Sequence, residues 1–187
     1  MDAGMGVGEQ TQCLTFHVAG EEYAIGILRV KEIIEYGTLT KVPTTPPAIR
    51  GVINLRGSVV PVVDLAVKFG LPETPITKRT CIIVVEVDLD GERTVMGLVA
   101  EGVSQVMDLR PQDIEAPPAF GTAVRVTYLR GLGKIGKKFV LILDIDRVLS
   151  TTELLSAAAL QTAAPEAAGA TPPAGGPATP GADGGGA

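Results

Sequence analysis

The sequence predicts a mainly β protein: two similar small closed or sandwiched units, with short helices and a disordered C-terminal tail. Three observations carry this. Apolar residues make up 45% of the chain, yet aromatics are only 4% and Trp is absent. The core must therefore be Val, Ile and Leu, and β-branched side chains favour strands. Short apolar runs recur between Gly, Pro and Asp turn signals, as in a sandwich or barrel. Finally, one block occurs twice. Residues 50–65 read RGVINLRGSVVPVVDL, and from Tyr128 a second Leu-Arg-Gly leads through β-formers to Asp144 and Ile145. The echo splits the fold into one unit around residues 22–80 and another around 81–143, with the terminal segments crossing between them.

Taken in order, residues 1–11 are polar and Gly-rich, a flexible leader. Cys13 to Ala19 alternates as a strand, Gly20 to Glu22 turns, and Tyr23 to Gly26 returns. Residues 27–34 are ambiguous. Ile27, Val30, Ile33 and Ile34 fit helical spacing, but β-branching favours extension, and we read a strand. Pro43, Pro46 and Pro47 make 38–49 an ordered loop, since proline removes a ladder donor. The block from Gly51 to Leu65 is a hairpin. Its turn carries Asn54, Arg56 and Gly57, and Gly51 and Gly57 supply backbone freedom. Asp64 caps a short helix over Leu65 to Phe69, which Gly70-Leu-Pro stops.

Thr80 to Asp88 is an apolar strand, Asp90-Gly91 a hairpin turn, and Thr94 to Ala100 the return. Val103 to Leu109 is another strand. Pro111, Pro117 and Pro118 mark a second loop, from Pro111 to Phe120, and Tyr128 to Leu143 forms the second hairpin. Asp146 to Leu160 reads as helix, with Val148, Leu149, Leu154 and Leu155 as its buried positions. Residues 163–187 are Ala, Gly, Pro and Thr with little else, too few large side chains to offset the entropy of ordering.

Composition narrows the function. The net charge is -5, and no dense cationic block neutralises phosphates, so no nucleic-acid partner is expected. Lys134, Lys137 and Lys138 form one small basic cluster, whose plain reading is a solvated loop. No apolar run reaches a membrane span and no signal-peptide pattern opens the chain, so no membrane insertion and a cytoplasmic location are expected. Cys13 and Cys81 lie in strand-like runs and read as buried thiols. His17 is the single histidine and no CxxC occurs, which leaves no metal or cofactor set.

Gly131 to Lys138 matches GxGxxG and most of a Walker A loop. A phosphate loop needs a helix behind it, and here a β run follows. A nucleotide-binding enzyme using Gly131–Lys138 is the rival reading; a hairpin loop is the one we adopt. Asp144 with Asp146, and Asp88 with Asp90, read as capping and turn residues, because no nucleophile or metal set accompanies them. For Arg56, the sequence leaves two readings open: a turn residue bonding local carbonyls, or an exposed guanidinium that anchors a partner.

Four blocks in order carry a resemblance over Cys13 to about Leu155. They are EYAIGILRVKEI (22–33), IRGVINLRGSVVPVVDL (49–65), GLVAEGVSQV (97–106) and YLRGLG (128–133). Together they resemble the CheW family of bacterial chemotaxis coupling proteins. The resemblance implies two SH3-like five-stranded β-barrels side by side, without catalysis or cofactor. It implies an adaptor linking chemoreceptor cytoplasmic tips to the regulatory domain of a CheA-type histidine kinase, with ring or array assembly. Val30, Glu32, Gly51, Arg56, Gly97 and Val106 match coupling positions of the family, and Ile33 adds apolar contact beside Val30. Phe120 matches an aromatic used in ring closure. Glu115 and Ala119 depart from the basic and acidic residues found there in other members, and the long tail is also outside the common pattern.

Overall fold

A computed structural model describes residues 11–117 and 126–150. The leader (1–11) apart from Thr11, the tail (163–187), Leu154, Leu155 and Phe120 lie outside the described residues. Among the described residues, eleven strands form two curled sheets. One sheet has the order β3-β6-β7-β5-β4: β3 (Val30–Glu35), β4 (Ile49–Leu55), β5 (Ser58–Asp64), β6 (Cys81–Leu89) and β7 (Glu92–Ala100). The other has the order β8-β1-β2-β11-β10-β9: β1 (Thr11–Val18), β2 (Glu21–Gly26), β8 (Gly102–Leu109), β9 (Ile114–Glu115), β10 (Leu129–Ile135) and β11 (Lys138–Leu143).

Each sheet closes on itself. Chain leaving β3 reaches Thr40, which bridges Val52 on β4, the far edge of the same sheet. Chain leaving β8 passes a 3-10 turn, Pro111–Asp113, and becomes β9, which pairs with β10. Counted as continuous chain, each cylinder has five strands. Closure removes the unpaired edges that an open sheet leaves as an association hazard.

The two cylinders share one wiring plan. β5 runs parallel to β7 as β11 runs parallel to β2. The duplicated block aligns without a gap as residues 49–65 on 129–145, and both hairpins slip register at the same step, Ile49/Gly51 and Leu129/Gly131. Hence Arg50-Gly51 corresponds to Arg130-Gly131. The Leu-Arg-Gly echo, which set Leu55 to Gly57 against Leu129 to Gly131, was six residues out of phase. At Gly51 a Cβ would stand 2.6 Å from the Thr40 carbonyl oxygen, and at Gly131 2.8 Å from that of Glu115. Both glycines admit the strand that closes the barrel.

The allocation of strands corrects the expected one. Residues 81–100 belong with 30–64, whereas 11–26 pair with 102–143. Each unit consists of a strand, the hairpin, a short helix and two more strands. The second copy takes its last two strands from the N-terminus, so a boundary at residue 80 cuts the first unit. The other differences are local. Residues 27–34 divide into a 3-10 turn, Ile27–Arg29, and strand β3. Helix α1 (Leu65–Lys68) follows Asp64, whose carboxylate accepts from Ala66 N at 3.0 Å. Helix α2 (Ile145–Leu149) is capped by Asp144, not begun at Asp146, and buries Val148 and Leu149.

Strand alternation sorts the apolar residues into three cores. Cys13, Ala24, Leu109, Val140 and Ile142 fill one cylinder, and Val62, Ile82, Val84 and Val99 fill the other. The largest core lies between them. There Leu14, Phe16, Val18, Tyr23 and Ile25 meet Ile83, Val85, Val87, Met96 and Leu98, with Tyr128, Val148 and Leu149 alongside. Phe16, Tyr23, Phe69 and Tyr128 form a chain of ring contacts through it. Burial pushes the Tyr23 hydroxyl pKa up to about 12, helped by Glu21. The cylinders are thus halves of one folding unit, each needing the other to cover an apolar face.

A candidate interaction site at the seam between the barrels

The 3-10 turn Ile27–Arg29 carries the chain from one cylinder into the other and packs against β1 and β6. A bidentate ion pair pins it: Arg29 donates to Asp146 at 3.0 and 2.6 Å. Asp146 Oδ1 also accepts the backbone N–H of Asp88 at 3.0 Å. The sequence left Asp146 as a helix-capping residue, but it joins α2, β6 and the crossover. Leu28, on this pinned turn, is 97% exposed.

Beyond the turn, β3 pairs with β6 through a bulge at Lys31. Val30 lies opposite Val85, Glu32 opposite Val84 and Ile33 opposite Ile83. Directly opposed residues share a face, and a bulge's extra residue resets the alternation. Val30 and Ile33, three apart, therefore both face the core between the cylinders, while Glu32 faces the barrel interior. The helical spacing noticed in the sequence is produced by the 3-10 turn and the bulge together.

The other cylinder repeats this device. β8 pairs with β1 with a register shift between Thr15 and Phe16: Val103 lies opposite Phe16, Gln105 opposite Thr15 and Val106 opposite Leu14. The buried Thr15 hydroxyl donates to the Gln105 carbonyl at 3.1 Å and accepts its N–H at 3.2 Å, which satisfies the disrupted ladder. Val30 and Ile33 on one strand thus correspond to Val103 and Val106 on the other. Val30 and Val103 pack partly buried against the shared core. Ile33 and Val106 remain 44% and 52% exposed. The apolar seam between the cylinders surfaces through these four side chains. Val103 was not singled out in the sequence, although its spacing from Val106 matches that of Val30 from Ile33.

Arg56 occupies the tip of the β4–β5 hairpin with φ 53, followed by Gly57 with φ 86. Asn54 Oδ1 accepts the Gly57 N–H at 2.9 Å and steadies the turn. The exposed guanidinium donates to Glu32 at 3.2 Å. Arg56 bonds a carboxylate across the barrel mouth and not local carbonyls, and its guanidinium is exposed, as the second reading expected. Lys31 donates to Glu86 at 3.0 Å with Arg93 on the other oxygen, and the Lys31 contact holds the Glu86 carboxyl below its usual range. The Glu32–Arg56 and Lys31–Glu86–Arg93 contacts therefore form a charged rim along β3.

Gly51 and Gly97 do not join this surface. Gly97 packs inside its cylinder, where a Cβ would stand 2.7 Å from Ile82 Cγ2; Gly51 serves barrel closure. Arg50 is nearly buried, bonding Glu73 at 2.7 Å and the Thr74 carbonyl at 3.1 Å, with its Nε 3.6 Å from Asp64. Half-buried His17 lines a polar cleft of about 370 Å³ with Pro75, Thr77, Arg79, Glu101 and Gly102. The Gly131–Lys138 segment runs from β10 through the turn into the first residue of β11. No helix N-terminus stands behind it to receive a phosphate. Among the described residues, no group of three or more His, Cys, Asp or Glu is placed to hold a metal ion, and no helix is long and apolar enough to cross a membrane.

Comparison with known proteins agrees with this architecture. The CheW-like domain family matches residues 12–153. A "Chemotaxis protein CheW" from Klebsiella aerogenes is 40% identical over 152 residues, covering 81% of this chain and 88% of that protein. A protein of the same name from Bacillus subtilis is 38% identical over 119 residues, covering 63% and 72%. Among solved structures, the scaffolding protein TtCheW from Thermoanaerobacter tengcongensis superposes with a TM-score of 0.69 at 30% identity, covering 78% of this chain and 96% of that one. With the duplicated five-stranded cylinders, these matches establish that the chain belongs to the CheW-like family.

Proposed function

We propose that this chain is a non-enzymatic chemotaxis adaptor that couples chemoreceptor cytoplasmic tips to the regulatory domain of a CheA-type histidine kinase. The carrying observation is the seam, where two bulged strands related by the internal repeat leave Ile33 and Val106 half open above the shared core. A groove of this kind accepts the apolar face of an amphipathic helix, and a receptor tip is a helical hairpin. The charged rim of Glu32, Arg56, Lys31 and Glu86 sets register, since electrostatic complementarity contributes specificity more than affinity. Relatives named for chemotaxis and a neighbour described as a scaffold support the same reading. The nucleotide reading loses its footing because the glycine-rich segment runs strand to strand.

The adaptor works in the cytoplasm, at membrane-associated receptor arrays that it reaches through its partners. The kinase's regulatory domain shares the fold, so barrel ends pair with barrel ends, Phe120 closing rings from the second barrel. The Glu115 and Ala119 departures give this chain different charge partners there. Arg56→Ala tests the rim. The side chain is exposed, so the fold and the melting temperature stay unchanged within experimental error, while recovery of the receptor–kinase complex in pull-down falls several-fold. Equal recovery with a folded mutant would remove Arg56 from the coupling surface. Phe120→Ala separates pairwise from extended assembly: kinase binding in solution stays intact, and cryo-tomography shows fragmented arrays. Normal lattices would contradict the ring role.

A further inference from the structure

The gapless match of residues 49–65 to 129–145 shows where the two hairpins have diverged. Asn54, Gly57, Ser58 and Val59 of the first correspond to Lys134, Lys137, Lys138 and Phe139 of the second. Three lysines and an aromatic stand where the first hairpin has small or neutral residues, and Gly136 stands where it has Arg56, in a chain whose net charge is -5.

The tip is open. Lys134, Lys137 and Lys138 are exposed, and Phe139, cross-strand partner of Lys134, is 50% exposed. Arg130 is exposed on the same strand. None of these four cations has an ion-pair partner among the described residues, whereas Arg50 and Arg56 of the first hairpin are both paired. The nearest strands in register bring Glu115 opposite Leu132 on one side and β2, which begins with Glu21 and Glu22, on the other. No carboxylate of these residues ion-pairs with the tip. Barrel packing explains the buried side of this hairpin, Val140 and Ile142, and not the composition of its end.

We infer that the Lys134–Phe139 tip is a docking site for an acidic polypeptide segment with an apolar side chain among its carboxylates. The lysines supply long-range attraction and orientation, and Phe139 offers the apolar contact that the partner covers. A nucleic acid is disfavoured. One exposed ring and a few cations stack too few bases and neutralise too little of a nucleic-acid backbone. The inference stands on the hairpin and does not depend on the adaptor reading.

The test is fluorescence anisotropy of a labelled, end-blocked peptide made of glutamates with a leucine at every third position, titrated with the full chain at low and moderate salt. Saturable binding that weakens with salt is expected. The Lys134→Glu, Lys137→Glu, Lys138→Glu triple variant should weaken it at least tenfold, and Phe139→Ala several-fold with the salt dependence retained. Circular dichroism and melting confirm that both variants are folded. The inference is overturned by equal binding to wild type and triple variant, or by no binding at low salt. It is also overturned if single-stranded DNA or phosphatidylserine vesicles bind as tightly as the peptide, or if sedimentation shows the tip engaged by a second copy of the chain.

Discussion

Asp64→Ala should lower stability by about 3–5 kcal/mol, the usual cost of removing one partner from a buried ionic network. Asp64 is fully buried at the junction of β5 and α1. Its oxygens accept from Ala66 N at 3.0 Å, Thr74 N at 2.9 Å and the Thr74 hydroxyl at 2.7 Å, with Arg50 Nε at 3.6 Å. Truncation strands two backbone donors and a hydroxyl, and takes the carboxylate charge from beside Arg50 Nε, whose other nitrogens stay bonded to Glu73 and the Thr74 carbonyl. For a domain of this size, thermal unfolding should move down by roughly 6–20 °C. Asp64→Asn keeps an acceptor for part of the network and should cost clearly less. A melting temperature within 2 °C of wild type for Asp64→Ala, on the order of one kcal/mol or below, would show that the network is not what holds the 72–80 loop against the barrel.

Replacing both Ile33 and Val106 with glutamate should abolish receptor-tip binding while leaving the fold intact. Both side chains are half exposed, so neither substitution forces a charge into a closed core. Each removes an apolar anchor from the centre of the proposed groove, and such anchors carry about 2 kcal/mol or more. Two together correspond to an affinity loss of roughly 10³-fold or more. The single variants should each weaken binding, because the two side chains are mates in the internal repeat and both line the proposed groove. Calorimetry against a receptor-tip fragment reads this directly, and an affinity within threefold of wild type for the folded double variant would displace the binding site from the seam.

Much of this was legible in the sequence, for physical reasons. Each hairpin announced itself through turn residues between β-branched runs, and Asp64 declared its cap by standing between an apolar strand and an apolar helix. The pairing of distant strands was less accessible. Alternation within β6 shows two buried faces, Ile82 with Val84 and Ile83 with Val85, but does not say which neighbour covers each. For that reason residues 81–100 were assigned to the wrong cylinder.

Bulges hid the site's logic. Val30 and Ile33 fit helical spacing although the segment reads as a strand, and Val103 does not stand out, because a one-residue insertion in the ladder breaks the period-two signal on which strand reading depends. Gly51 and Gly97 showed the opposite problem. The resemblance sets them at coupling positions, and the geometry shows both in close packing. Arg56 was recognised as unusual, but its partner Glu32 is 24 residues away and no local pattern joins the two.

The central claim is that the outer faces of two fused barrels, and no chemistry of their own, link a receptor to a kinase. Co-sedimentation tests it most directly. Receptor-bearing vesicles are mixed with purified CheA-type kinase, with and without this chain, and the kinase in the pellet is measured. The account expects the kinase to pellet strongly only when the chain is present, and this gain to vanish with the Ile33→Glu, Val106→Glu variant. Kinase that pellets equally well without the chain, or that stays in solution with it, would contradict the account.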